Sequence, residues 1–277
     1  MKTVKLPSGE NVPALGMGTW NIGNSGAQRA EEIATLQLGL AMGLRLIDTA
    51  EMYGEGDSET LIGEAIAGRR EDVFLVSKVY PHNASRRGTV AACERSLRRL
   101  RTDRIDLYLL HWRDNVALAE TLDAFARLQE DGKIRYFGVS NFDVTDMEEL
   151  FALPQGVNIA TDQVLYNLMR RGIEWDLLPW CRQRGIPLMA YSPIEQARLI
   201  SNPRLADFAQ RHGMTPAQAA LSWLLAKDDV IAIPKTGHRK RLRENMLALE
   251  HPLTAEQMAE LEALFPPPKV ARPLEML

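Results

Sequence analysis

The stretch Gly43-Leu44-Arg45-Leu46-Ile47-Asp48-Thr49-Ala50-Glu51-Met52-Tyr53-Gly54 sets the reading of the chain. A short apolar run over 44–47 stops at a carboxylate, and a tyrosine follows in a glycine-bearing polar turn. A near-continuous apolar run of this length suits a strand buried on both faces, as in a parallel sheet. A strand that ends in Asp and passes into a loop carrying a phenol has the form of an active-site rim.

Similar runs recur at 73–76, 105–110, 136–139, 159–160, 187–190 and 230–233, and a glycine-rich strand precedes them at 15–20. Between them lie helical patterns. Leu118, Leu122, Phe125 and Leu128 recur at steps of three and four. Thr215 can cap a helix with Pro216 in its first position and Gln218 completing a capping box. Asn202-Pro203 starts a helix in the same way, and Thr254 opens a last one. Residues 1–14 read as a hairpin around Pro7-Ser8-Gly9-Glu10. Eight strands, most followed by a helix, predict an α/β fold: a closed (β/α)8 TIM barrel with a short N-terminal β-hairpin, one domain over 1–277. No GxGxxG follows the first strand, which counts against an open doubly wound sheet.

Bulk properties exclude several classes. The 277 residues carry a net charge of -3, with 45% hydrophobic and 25% charged residues, which argues against disorder and against a nucleic-acid partner. No apolar run approaches the roughly 18 residues that span a bilayer, and the first residues lack a signal-peptide core. Cys93 and Cys181 are the only cysteines, with no CxxC, so a cytoplasmic protein with no bound metal is expected. The expected state is a monomer.

In a (β/α)8 barrel, chemistry sits where strands end. The ends read Thr19-Trp20, Asp48, Ser77-Lys78, His111-Trp112, Ser140-Asn141, Asp162-Gln163, Tyr191-Ser192 and Pro234-Lys235. Taken singly, Asp48–Lys78 is an ordinary structural ion pair, Tyr53 a packed surface tyrosine and His111 a core histidine. Together they form a proton-transfer unit. A free tyrosine holds its proton up to a pKa of about 10. A cationic Lys78 would stabilise the phenolate and lower that value, Asp48 would keep Lys78 charged, and His111 would orient a substrate oxygen.

At these residues the chain resembles the aldo-keto reductases. The resemblance spans essentially the whole sequence. It rests on the opening stretch and on Leu107-Tyr108-Leu109-Leu110-His111-Trp112. It rests also on Gly132-Lys133-Ile134-Arg135-Tyr136-Phe137-Gly138-Val139-Ser140-Asn141-Phe142, on Tyr191-Ser192-Pro193, and on Ile233-Pro234-Lys235-Thr236 with Glu244-Asn245. It implies NADPH-dependent carbonyl reduction with a catalytic tetrad of Asp48, Tyr53, Lys78 and His111, hydride passing from nicotinamide and the proton from Tyr53. It further implies that Tyr191 stacks on the nicotinamide and that Ser140, Asn141 and Gln163 hold its carboxamide. On the same resemblance, Thr19 and Trp20 are expected to line the cofactor site, and Ser192, Pro193 and Ile194 would begin a loop over the pyrophosphate. By the same resemblance, Lys235, Thr236 and Arg241 are expected to contact a 2'-phosphate, while Glu244 and Asn245 are expected to hold the adenine. Cations at a helix N-terminus oppose the macrodipole unless an anion joins them, which favours NADPH over NADH.

Trp20, Tyr80 and Trp112 are expected to wall the substrate, with His82 nearby. Short loops make the chain most similar to small bacterial members that act on small aldehydes and dicarbonyls such as methylglyoxal. Two alternatives remain: a Schiff-base lyase using Lys78, and a non-catalytic NADPH-binding redox-sensor subunit.

Overall fold

A computed structural model describes residues 1–23 and 26–277. It opens on an antiparallel hairpin, β1 (Thr3–Lys5) and β2 (Asn11–Pro13), whose Val4, Leu6 and Val12 are buried. Eight strands follow in one parallel sheet: β3 (Met17–Gly18), β4 (Leu46–Asp48), β5 (Phe74–Val79), β6 (Ile105–Leu110), β7 (Ile134–Ser140), β8 (Asp162–Leu165), β9 (Leu188–Tyr191) and β10 (Val230–Ala232). Each pairs with the next in chain order. Every residue of β5 and β6 is buried, as strands covered on both faces require.

The first strand also meets the last. Leu15 bridges Ala232 and Gly18 bridges Lys235, and the Gly16 and Gly18 amides donate to the Ala232 and Pro234 carbonyls at 2.9 and 3.0 Å. This seam closes the barrel and accounts for the glycines of the first strand. A Cβ on Gly18 would lie 2.7 Å from the Ile233 carbonyl oxygen, so the backbones approach this closely only without one.

Helices α1 (Arg29–Ala41), α2 (Asp57–Ala65), α3 (Arg86–Leu100), α4 (Leu118–Glu130), α5 (Val144–Phe151), α6 (Leu177–Gln183), α7 (Pro203–Arg211), α8 (Pro216–Leu225) and α9 (Arg239–Leu247) fill the intervals between and after the strands, and α10 (Ala255–Leu264) follows. Asn202, Thr215 and Thr254 cap α7, α8 and α10 as their sequences anticipate, the last two with full capping boxes. No helix among the described residues is long and apolar enough to cross a membrane.

The two barrel ends are built differently. At the N-terminal end, buried Asp106 pairs with Arg70 at 2.7 Å and Arg135 at 3.0 Å. Arg135 also pairs with Glu10 of the hairpin, which accepts the Tyr136 hydroxyl at 2.6 Å. This network anchors the hairpin there and leaves the C-terminal strand ends open.

One strand differs from the sequence reading. The apolar pair 159–160 lies before β8, and Asp162 and Gln163 are its first two residues, not its end. The Ala160 amide already bonds the Phe137 carbonyl at 2.8 Å, but ladder pairing with β7 begins at Val139–Asp162. Polar residues enter this strand early because Gln163 faces the barrel interior, where it donates to Asp48 Oδ1 at 2.8 Å. Successive residues alternate, so Asp162 turns the other way, under the helices. It is fully buried, and neither carboxylate oxygen has a partner of ordinary geometry among the described residues. Burial pushes its carboxyl well above the usual Asp range; the Phe142 amide offsets this in part, and Asp146 and Asp143 reinforce it.

Native Asp162 therefore keeps a proton that the unfolded chain gives up above a pH of about 3.9. Stability contributed by the neutral form is present below that pH and is lost as pH rises towards the raised native value, by about 1.4 kcal/mol per pH unit. Urea melts of wild type and Asp162→Asn at several pH values check this: the variant gains on the wild type as pH increases. A difference independent of pH would exclude a protonated native Asp162.

Candidate active site

Asp48 ends β4, and the chain then turns through a one-turn 3-10 segment, Tyr53–Gly56, that carries the phenol back over the strand end. Gly54 and Gly56 both take positive φ there, 58° and 99°, which the tight return requires. Lys78, one residue short of the end of β5, points at both. Its Nζ donates to Asp48 Oδ1 and Oδ2 at 2.8 and 2.9 Å, to the Thr49 carbonyl at 2.7 Å, and to the Tyr53 hydroxyl at 3.3 Å. The Lys78 side chain is fully buried. His111 follows β6 directly, and its ring meets Tyr53 edge-on with centroids 5.7 Å apart.

The electrostatics are coupled. Burial pulls the Lys78 pKa down, but the Asp48 charge, the Tyr53 oxygen and their hydrogen bonds outweigh this and raise it. Lys78 is thus a fixed cation. His111 is held well below the ordinary histidine value, first by burial and then by Lys78, so its imidazole is neutral. Its Nδ1 is buried with no partner among the described residues.

Tyr53 corrects the sequence reading. Lys78 does pull its pKa down, as expected, but desolvation outweighs that pull and Asp48 adds to it, so the phenol lies above its ordinary value. Burial penalises the phenolate more than one neighbouring cation compensates. The consequence is a phenol fully protonated at neutral pH and next to a charge that stabilises the anion left behind, which is the resting state a proton donor needs.

All four groups flank a single cavity of about 810 Å³; Asp48, Tyr53 and His111 line it, and Lys78 stands behind them. A polar relay forms one wall. Tyr191 donates to Asn141 Oδ1 at 2.9 Å, Asn141 Nδ2 to the His111 carbonyl and to Ser140 Oγ at 3.1 Å, and Ser140 Oγ to the Gln163 carbonyl at 2.8 Å. Asn141 is strained, with φ 60°, and the helix behind it is capped by Asp143, which leaves the Asn141 amide to the relay. Thr19 Oγ1 donates to the Asp48 carbonyl at 2.8 Å, while Trp20 is 45% exposed at the mouth.

From there the cavity runs past Ser192, Pro193 and Ile194 to Lys235, Thr236, Arg241, Glu244 and Asn245. At that end α9 begins with no side-chain cap, so its first-turn N–H groups are not satisfied by His238. Neither Lys235 nor Arg241 has an ion-pair partner among the described residues, whereas Arg239 beside them is clamped on Glu31 at 2.8 Å. The Arg239 amide donates to Glu31 Oε1 at 3.3 Å; two cations without ion-pair partners beside an otherwise uncapped helix N-terminus suit an anion.

Trp112 lines the cavity but Tyr80 does not. The Tyr80 ring packs edge-on against Trp112 at 5.1 Å and on exposed His82 at 4.2 Å, so both stand one layer behind the wall. Lining residues absent from the sequence reading include Met52, Gln28, Glu32, Gln196, Met276 and Leu277. Met52 lies inside the opening stretch and was within reach of it. Met276 and Leu277 arrive on an irregular tail whose path no periodicity encodes. Among the described residues no group of three His, Cys, Asp or Glu side chains is placed to hold a metal ion.

Over its full length the chain is 47% identical to methylglyoxal reductase YeaE of Escherichia coli K12, covering 99% of that protein. It is 35% identical to glyoxal reductase of Bacillus subtilis, over 95% of this chain and 92% of the relative. An aldo-keto reductase from Klebsiella pneumoniae, crystallised in complex with NADPH, superposes with a TM-score of 0.97 at 46% identity, covering 100% of this chain and 99% of that one. The model of the aldo/keto reductase family matches residues 14–265, which takes in every strand of the barrel and all four groups of the buried unit: the chain belongs to the aldo/keto reductase family.

Proposed function

We propose that the protein reduces small aldehydes, ketones and dicarbonyls, methylglyoxal among them, to alcohols with NADPH, Tyr53 donating the proton. The observation that carries this reading is one cavity joining a protonated, Lys78-backed phenol to an anion site at the start of α9. Both ends suit the same elongated, phosphate-bearing cofactor.

The residues present fit NADPH. Lys235, Thr236 and Arg241 with the uncapped α9 amides would hold the 2'-phosphate, and Glu244 and Asn245 the adenine. Ser192 and Pro193 would cover the pyrophosphate. Asn141, Ser140 and Gln163 would hold the carboxamide beside the Tyr191 ring, with Thr19 and Trp20 alongside. When bound, NADPH supplies the hydride that reaches the carbonyl carbon.

The chain does the rest. Neutral His111 orients the carbonyl oxygen without adding a second full cation beside Lys78. Tyr53 transfers its proton to that oxygen, and Lys78 at 3.3 Å stabilises the phenolate as it forms. Asp48 keeps Lys78 charged and fixed at 2.8 Å. Trp20 and Trp112 wall the carbonyl end. Lys78 is buried, charged and shares its hydrogens among Asp48, Thr49 and Tyr53, which speaks against a Schiff-base lyase, whose amine must be neutral and reachable. The complete proton-transfer unit speaks against a sensor that only binds NADPH. A single-domain monomer acting in the cytoplasm is part of the same proposal.

Tyr53→Phe is expected to keep NADPH affinity while lowering kcat for methylglyoxal by about 10²–10⁴-fold, the usual contribution of a positioned acid. Fluorescence titration with NADPH and steady-state assays of its oxidation separate the two quantities; a variant of near wild-type activity would remove Tyr53 from the proton-donor role. Arg241→Ala is expected to raise the NADPH Kd by about 10–100-fold, the size of a lost hydrogen bond to a charged group, and to leave the NADH Kd unchanged. Equal weakening of both cofactors would place the 2'-phosphate elsewhere.

A further inference from the structure

Arg170 lies outside the proton-transfer unit and reaches two segments that both line the cavity. Asn167 and Arg170 close a tight turn after β8: the Arg170 amide donates to the Asn167 carbonyl at 3.0 Å, and Asn167 Oδ1 accepts from the Met169 and Arg170 amides at 2.9 and 3.1 Å. The turn presents two side chains to the loop after β9. Asn167 Nδ2 donates to Glu195 Oε2 at 2.7 Å and to the Ser192 carbonyl at 2.9 Å, and Arg170 Nε donates to Glu195 Oε1 at 2.9 Å. Glu195 is fully buried.

That loop needs restraint. Ser192, Glu195, Gln196 and Ala197 all have positive φ, 47°, 50°, 50° and 73°, which residues with a Cβ hold only where their surroundings enforce it. The same guanidinium also faces the tail, its second nitrogen donating to Glu275 Oε1 at 2.6 Å. Glu275 is followed by Met276 and Leu277, which line the cavity, with the Leu277 backbone against Tyr191.

We propose that Arg170 is a positioning residue that ties the strained 192–197 loop on the cofactor arm to the 275–277 tail at the barrel mouth, so that ordering one segment orders the other. The proposal rests on the NADPH reading above. Glu195 and Glu275 share one planar cation, and a shift of either carboxylate changes the fit of the other. A lysine cannot replace the fork, because its point charge cannot serve two carboxylates in fixed directions.

Hydrogen exchange of the 270–277 segment with and without NADPH tests this, together with the NADPH Kd and the KM for methylglyoxal at saturating NADPH. In the wild type, NADPH slows exchange in the tail. Glu275→Gln abolishes that protection and raises KM about tenfold while the NADPH Kd stays within about twofold. Arg170→Gln raises both, and in the double variant the KM effects do not add, since both remove one link. Arg170→Lys falls between wild type and Arg170→Gln. Equal tail protection in wild type and Glu275→Gln, or KM effects that add in full, would overturn the proposal. If Arg170→Gln fails to fold, Glu275→Gln decides alone, because Glu275 is only partly buried and does not touch the strained loop. A wild type that binds no NADPH overturns the functional reading and this proposal with it, and the titration shows that before any variant is made.

Discussion

The buried Lys78–Asp48 pair is the interaction on which the site depends. Two charges withdrawn from water are costly, and such a pair is tolerated only with close geometry and its remaining valences met. Here Asp48 also accepts from Gln163 at 2.8 Å, and Lys78 donates to the Thr49 carbonyl at 2.7 Å. Replacing both partners of such a pair with well-packed apolar residues is often neutral or stabilising, so the pair is a poor choice for stability alone. Its placement makes sense as electrostatics: a permanent cation within reach of a phenol that passes through an anionic state in the proposed reaction.

The environment works in two opposing directions. Desolvation raises the Tyr53 pKa and keeps the phenol protonated, while Lys78 pulls the other way and would stabilise the phenolate in the proposed transfer. The same desolvation and the same Lys78 charge keep His111 neutral. Desolvation thus sets the charge state of both groups, and Lys78 opposes it at Tyr53 and reinforces it at His111. The barrel supplies the rigidity this needs, since Asp48, Lys78 and His111 come from three adjacent strands whose register pairs Asp48 with Val76 and Lys78 with Leu109.

Much of this was legible in the sequence, for identifiable reasons. Strands covered on both faces write themselves as apolar runs, and polar residues at their ends stand out against them; Asp48, Ser140 and Tyr191 close β4, β7 and β9 as read. Caps at Asn202, Thr215 and Thr254 are local chemistry and needed no tertiary information. β8 was misplaced because its polar residues, Asp162 and Gln163, serve a buried site and a buried neutral acid, so the apolar signal stopped where the strand began. Tyr80 was misassigned because position after a strand does not say whether a ring faces the cavity or backs another ring.

By itself the sequence determined the parallel barrel, the polar residues gathered at its strand ends, Asp48, Lys78 and His111 among them, and the basic start of α9, because each is carried by local pattern or by residue type at a strand end. The tertiary structure alone decided the direction of the Tyr53 shift, the seam through Gly18, the burial of Lys78 behind the cavity and the link from Glu195 through Arg170 to Glu275. These depend on distances between residues far apart in the chain and on how much water is excluded between them, and neither quantity is written in the order of the amino acids.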